Sequence, residues 1–242
     1  GPVAGAILPP TRRQLMAVFD ALLAHFGPQH WWPGDTPFEI MVGAVLTQNT
    51  NWGNVERAIA NLKAADALEP ERLLSLAPDE LAGLIRPSGY FNVKTVRLRA
   101  LVQWLVDRFG GNPERMRGEA LTAIRPDLLA VKGIGPETAD SILLYAAEQP
   151  TFVIDAYTRR IGSRLGWCEN TVEYEAFRAV FMRALPADVP LYNEYHALCV
   201  ALGKFFCRPH PLCTDCPLRR AELCRGHAEQ DTAPQVRGGR RA

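Results

Sequence analysis

Residues 129–161 read LAVKGIGPETADSILLYAAEQPTFVIDAYTRRI, and this stretch decides the fold. Val131-Lys132-Gly133-Ile134-Gly135 sets two glycines around one apolar residue. Glycine adopts positive φ without strain and lets another backbone come close. Pro136 follows, where a helix start tolerates a missing amide donor. Glu137, Thr138 and Ala139 continue the first turn, and Ile142, Leu143 and Ala146 give an apolar face. A glycine turn feeding a helix start is an anion site, and phosphate is its natural occupant. Asp155 lies twenty residues beyond Gly135. The plainest account of the stretch is a capped helix in a helical protein, with Asp155 as an N-cap.

Working outward, the pattern is helical throughout. Residues 11–26 carry Leu15, Val18, Phe19, Leu22 and Leu23 at helical spacing. A loop with two tryptophans follows, then an apolar helix over 37–47 behind the start signal Asp35-Thr36. Further helices are expected over 54–64, near 74, from 78, over 92–109, 121–124, 126–130, 136–148, 156–165, 172–185 and 192–206. No segment reads as a strand, and no fixed-period repeat occurs. The expected fold class is all-α.

The chain has 242 residues and is 48% hydrophobic, enough for a sizeable core and typical of a soluble globular protein. No apolar run reaches the length of about 18 residues that a membrane span needs. Gly1-Pro2 reads as a remnant of protease cleavage, and no signal peptide is seen. The expected location is cytoplasmic, with no membrane partner. A net charge of +1 does not announce a nucleic-acid binder. Phosphate contacts would have to come from local clusters: Lys94-Arg97-Arg99, Arg159-Arg160-Arg164 and Arg219-Arg220-Arg225. Each reads equally well as a solvated helix face. Residues 228–242 read as a disordered basic tail.

Four of the six cysteines fall close together, as Cys207, Cys213, Cys216 and Cys224 with spacing C-x5-C-x2-C-x7-C. Without a secretory signal a disulfide framework is not expected. Four thiolates from one loop point to a metal centre, either zinc or iron–sulfur. Cys168 and Cys199 lie apart and read as core thiols.

Together, Gly-Ile-Gly-Pro-Glu-Thr-Ala-Asp at 133–140, the loop at Pro150 and Val153-Ile154-Asp155 resemble the helix-hairpin-helix, Gly/Pro-rich loop and aspartate of the endonuclease III superfamily of DNA glycosylases. The resemblance implies a two-lobed helix-hairpin-helix glycosylase fold. A six-helix domain would span 37–150, a second would combine 1–36 with 151–227, and damaged double-stranded DNA would bind between them. It also implies a monomer. The cysteine run is similar to the family's C-terminal [4Fe-4S] loop, usually C-x6-C-x2-C-x5-C, and small changes in loop length cost little. The implied cofactor is a [4Fe-4S] cluster on Cys207, Cys213, Cys216 and Cys224.

The same resemblance assigns roles. Asp155 would stabilise positive charge on the sugar as the glycosidic bond breaks. Bifunctional members carry a lysine on the hairpin helix that forms a Schiff base. Glu137 stands there and cannot form an imine, so the expectation is a monofunctional enzyme. Glu137 would assist the base or sugar, or serve as a favourable first-turn acid. Gly133, Gly135 and Lys132 would hold the DNA backbone. Ala44 occupies the place of the acid used by adenine–guanine mismatch glycosylases, which argues against that substrate. The WWP…LTQNT combination, with Gly-x-Gly-x-Glu, resembles the endonuclease III-like 3-methyladenine DNA glycosylases. There, Trp32 and Trp52 would sandwich the base, with Trp31 and Lys204 lining the pocket. Gln48 would fill the gap left by the flipped base, and Ser88 or Tyr90 would form a second wedge. Core packing is the alternative reading for Trp31, Trp32, Trp52 and Tyr90. The function implied is excision of an alkylated purine. The alternatives are a glycosylase for mismatched, deaminated or oxidised pyrimidines, a non-catalytic binder of damaged DNA, and a zinc-loop binding module.

Overall fold

The computed structural model describes residues 8–227; Gly1-Pro2 and the tail at 228–242 lie outside the described residues. Twelve α-helices and no strand are found among them: α1 Arg12–Phe26, α2 Pro37–Leu46, α3 Trp52–Ala64, α4 Pro70–Ser75, α5 Pro78–Ile85, α6 Phe91–Phe109, α7 Leu121–Leu129, α8 Pro136–Ser141, α9 Ala156–Arg164, α10 Tyr174–Ala184, α11 Val189–Phe205 and α12 Pro217–Arg220. The protein is all-α. No described helix is long and apolar enough to cross a membrane.

The helices start where local chemistry supplies caps. Thr11 and Gln14 form a capping box, each side chain accepting the other's backbone N–H. Thr36 caps α2 and Asn51 caps α3 through their side chains. Asp188 accepts the Leu191 N–H at 3.0 Å, so α11 begins at Val189 instead of 192. The expected short helix 126–130 is the second half of α7, which runs through Pro126. Ile124 and Leu128 are both fully buried, and that shared apolar face carries the helix across the proline. The hairpin helix is also not one regular helix to Glu148. α8 ends at Ser141 and continues as a π-helical turn over Ile142–Ala146. Gln149 N–H then closes on Leu143 O at 2.8 Å.

The chain divides into two compact units. One comprises His30–Val153 with Pro186–Asn193. α2 lies deep in its core, with Met41, Val42, Ala44, Val45 and Leu46 all at most 1% exposed. Leu98, Leu101, Val102 and Leu105 of α6 complete that core at helical spacing. Among the described residues, the other comprises those up to Gln29, Ile154–Leu185 and those from Glu194 to His227. Leu15, Leu22, Phe177, Phe181 and Tyr195 are buried in it, and the Tyr195 hydroxyl donates to Leu15 O.

Candidate active site

The hairpin belongs to the first unit. α7 ends in a tight turn in which Ile134 N–H reaches Val131 O at 3.1 Å, and buried Ile134 anchors the turn. Gly133 has φ +80°, and a Cβ there would fall 2.4 Å from Arg97 Cγ, so both conformation and space require glycine. Gly135 differs. It is extended, with open space where a Cβ would stand, and it heads α8 without a side-chain cap. Gly133, Gly135 and Lys132 are exposed. Glu137 is half-buried on the first turn of α8.

Gln48 is held against that hairpin: its Nε2 donates to Thr138 Oγ1 at 2.8 Å. Asn49, next along, has φ +55°. Ser88 cannot be the exposed tip of a wedge. It is fully buried, and its hydroxyl donates to Ile85 O at 2.7 Å to close the turn after α5. Tyr90 stands out instead: it is 66% exposed and has φ +44°. Core packing therefore does not describe Tyr90. Lys94 is not part of a basic surface either. It is 2% exposed, and its Nζ donates to two backbone carbonyls, Leu46 O and Ser88 O.

The tryptophans form a cluster, with Trp32 at its centre. Trp32 meets Trp52 edge to face at 5.6 Å and 78°, meets Trp31 at 5.6 Å and 77°, and meets Tyr145 at 5.4 Å. Rings in edge contact leave no parallel slot between them, so Trp32 and Trp52 form an aromatic wall here instead of a sandwich. A Cβ on Gly43 would fall 3.2 Å from Trp32 Nε1 and 3.5 Å from Trp52 Cη2, so glycine lets the indoles settle on α2. Asn193 Nδ2 donates to Trp31 O at 3.0 Å, and the Tyr145 hydroxyl donates to Asn193 O at 3.1 Å. Sequence reading missed Gly43, Tyr145 and Asn193. Tyr145 alone carried a signal, as an aromatic on the hairpin helix.

Asp155 belongs to the second unit, at the N-cap of α9. Its Oδ1 accepts from Thr158 N–H at 2.7 Å and from Thr158 Oγ1–H at 2.9 Å. Its Oδ2 lies 2.9 Å from His196 Nε2, a residue the sequence reading did not single out. Burial pushes the Asp155 pKa up, but the hydrogen bond and charge of His196 and the Thr158 donors outweigh it, and the pKa is lowered. Cys199, one turn beyond His196, is a buried thiol pushed well up by burial and by Asp155. Ile154 N–H donates to the Tyr174 hydroxyl and fixes the loop entering the aspartate. Lys204 is exposed in this unit, near the end of α11.

Cys207, Cys213, Cys216 and Cys224 line one small cavity of the second unit, with Ile161, Leu202 and Arg164 in its wall. Arg164 Nη1 donates to Cys207 Sγ at 3.3 Å, and His227 N–H donates to Cys213 Sγ at 3.2 Å. Arg160 holds Cys207 O at 2.8 Å. Among the described residues no group of three or more His, Cys, Asp or Glu is placed so as to hold a metal ion. Cys168 and Cys199 are buried, and burial raises the Cys168 thiol to about 11.

Residues 42–187 match the HhH-GPD superfamily of base excision DNA repair proteins. A provisionally named DNA repair glycosylase of the archaeon Methanocaldococcus jannaschii is 46% identical over 208 residues, 86% of this chain and 94% of that protein. Endonuclease III of Thermotoga maritima is 30% identical, over 76% of this chain and 81% of its own. The 3-methyladenine DNA glycosylase of H. pylori, solved with 1,N6-ethenoadenine, shares 29% identity and a TM-score of 0.69, over 81% of this chain and 98% of that one. An endonuclease III–DNA complex gives a TM-score of 0.75 at 22% identity, over 92% and 98%, a likeness of fold.

Proposed function

This chain belongs to the HhH-GPD superfamily of base excision DNA repair proteins, and from that premise we propose that it is a monofunctional DNA glycosylase acting on an alkylated purine such as 3-methyladenine. The observation that carries the reading is Asp155, a buried carboxylate with a lowered pKa and both oxygens engaged. Breaking the glycosidic bond builds positive charge on the sugar, and a fixed carboxylate stabilises that charge without reorganising. Donors on both oxygens make Asp155 a weak base, so its role is electrostatic more than proton abstraction. Water is then the nucleophile at C1′. Glu137 in the lysine position has no amine with which to form an imine, and strand cleavage does not follow.

The substrate class is supported by the aromatic wall of Trp31, Trp32, Trp52 and Tyr145. An electron-poor alkylated purine stacks on such a face by the attraction that draws a cation to an aromatic ring. The likeness to the H. pylori 3-methyladenine enzyme points the same way. Lys132, Gly133 and Gly135 would hold phosphate, Gln48 and Tyr90 would face the gap left by the flipped base, and exposed Lys204 would approach the base or backbone. Cys207, Cys213, Cys216 and Cys224 would hold a [4Fe-4S] cluster, which when bound cross-links the loop and gives it a fixed shape. The working species would be a monomer on damaged duplex DNA.

The test is a panel of duplexes with single lesions, assayed with the wild type and Asp155→Asn. Release of 3-methyladenine or a related alkylated purine, abolished by Asp155→Asn, is expected. Release of thymine, uracil or an oxidised pyrimidine instead would establish the second reading. Nicking of abasic DNA as fast as base release would reject the monofunctional claim. Activity unchanged by Asp155→Asn would leave Asp155 as a helix cap alone.

A further inference from the structure

Two loops of the first unit carry the residues proposed to face the gap of a flipped base: the one after α2, with Gln48, and the one before α6, with Tyr90. Each holds a non-glycine residue in the left-handed region, Asn49 at φ +55° and Tyr90 at φ +44°. Such conformations persist where their surroundings over-determine them, and they cluster at working sites. One side chain bonds backbone carbonyls beside both loops. Lys94 sits in the first turn of α6 and is 2% exposed. Its Nζ donates to Leu46 O, the last residue of α2, at 2.7 Å, and to Ser88 O at 2.7 Å. Leu46 lies two residues before Gln48, and Ser88 lies two residues before Tyr90.

We propose that Lys94 is a positioning residue that pins the Gln48 loop and the Tyr90 loop to one point and so sets the spacing with which they enter the gap of a flipped base. The consequence for DNA rests on the glycosylase reading; the pinning itself does not.

Several observations favour a pin over a surface cation turned inward. No carboxylate pairs with Lys94 among the described residues, and Arg97, on the same helix, is the charged group that acts on it. Its acceptors are backbone carbonyls, so neither bond depends on the identity of the loop side chains. A helix C-terminus also carries partial negative charge, which a cation at Leu46 O complements. The arrangement has a cost: burial lowers the Lys94 pKa from 10.5 to about 8. A methionine would fill the same space without that penalty, so the sequence keeps a charged group where packing alone does not require one.

The first measurement needs no DNA. Hydrogen exchange on the wild type under native conditions is expected to show the amides of 47–51 and 88–91 opening in one step, with one shared dependence on denaturant. In Lys94→Met, exchange in both segments is expected to accelerate about tenfold or more, as for loss of a hydrogen bond or two, while the α3 and α5 amides stay as they were. Independent opening in the wild type, or acceleration in one segment alone, overturns the pin. Should Lys94→Met fail to fold, the wild-type measurement still decides.

The second measurement is binding to an abasic-site duplex against the same duplex undamaged. Lys94→Met is expected to lose about tenfold in preference for the abasic site, with binding to undamaged duplex within roughly twofold. Equal losses on both duplexes overturn the positioning role. A wild type with no preference for the abasic duplex sinks the glycosylase reading instead, and the exchange result then stands on its own.

Discussion

The two carboxylate oxygens of Asp155 do different work. Oδ1 caps α9 through Thr158, as any N-cap aspartate does. Oδ2 faces His196 at 2.9 Å, and a cap has no need of that contact. The spacing behind Gly133-Ile134-Gly135 singled out Asp155, whereas His196 lies 41 residues further on and carried no signal, because a tertiary pairing leaves no trace in one sequence. Ser88 and Lys94 show the same limit: both are polar in sequence, and only packing shows them buried. The sign of the His196 effect follows from the shift. A folded pKa below the unfolded one contributes stability that is present above the unfolded value and lost as pH falls through the folded value. His196→Leu leaves burial less opposed, so the Asp155 pKa rises. Single-turnover base release by this variant should fall by roughly 10²-fold at neutral pH. Its acid limb should also move to higher pH than the wild type's. A lower rate with an unmoved acid limb would make His196 a packing residue.

The hairpin was the most legible element, because glycine and proline impose their conformations locally. Gly133 does need its positive φ, and Pro136 does sit in the first turn of α8. The continuation was less legible. Apolar spacing over 142–146 fits a helix of either pitch, and the π turn that carries Tyr145 toward Trp32 is set by tertiary packing. The tryptophan pair shows the same divide: sequence placed the rings near each other, but their edge-to-face geometry depends on Gly43 beneath them. Gly133→Ala tests the turn. A Cβ would be strained at φ +80° and would displace Arg97. Stability should fall by about 1–3 kcal/mol. Affinity for undamaged duplex should fall as well, with a shallower salt dependence, since the turn is read as a phosphate contact. Titrations at several salt concentrations check this; an unchanged slope would remove the hairpin from the DNA-binding surface.

At the scale of the whole chain, composition said little about DNA, because 27 Lys and Arg against 26 Asp and Glu leave a net charge of only +1. It said more about order, since two compact units each need a core of their own. The units differ in how they are held together. The first has a large apolar core that includes α2 and α6. In the second, Arg160 and Arg164 of α9 bond the Cys207 loop at one end, and Asp155 caps the same helix at the other. Metal binding in such a loop is folding free energy, so removing the proposed cluster should loosen this unit selectively. Protein stripped of iron by oxidation and chelation should melt in two steps by calorimetry, where the iron-loaded protein melts in one step or at a higher first midpoint. Hydrogen exchange should then assign the earlier step to α9–α12, with α2 and α6 still protected. Early loss of protection in α2 and α6, or an unchanged melting profile after iron removal, would show that the loop holds itself together without the cluster.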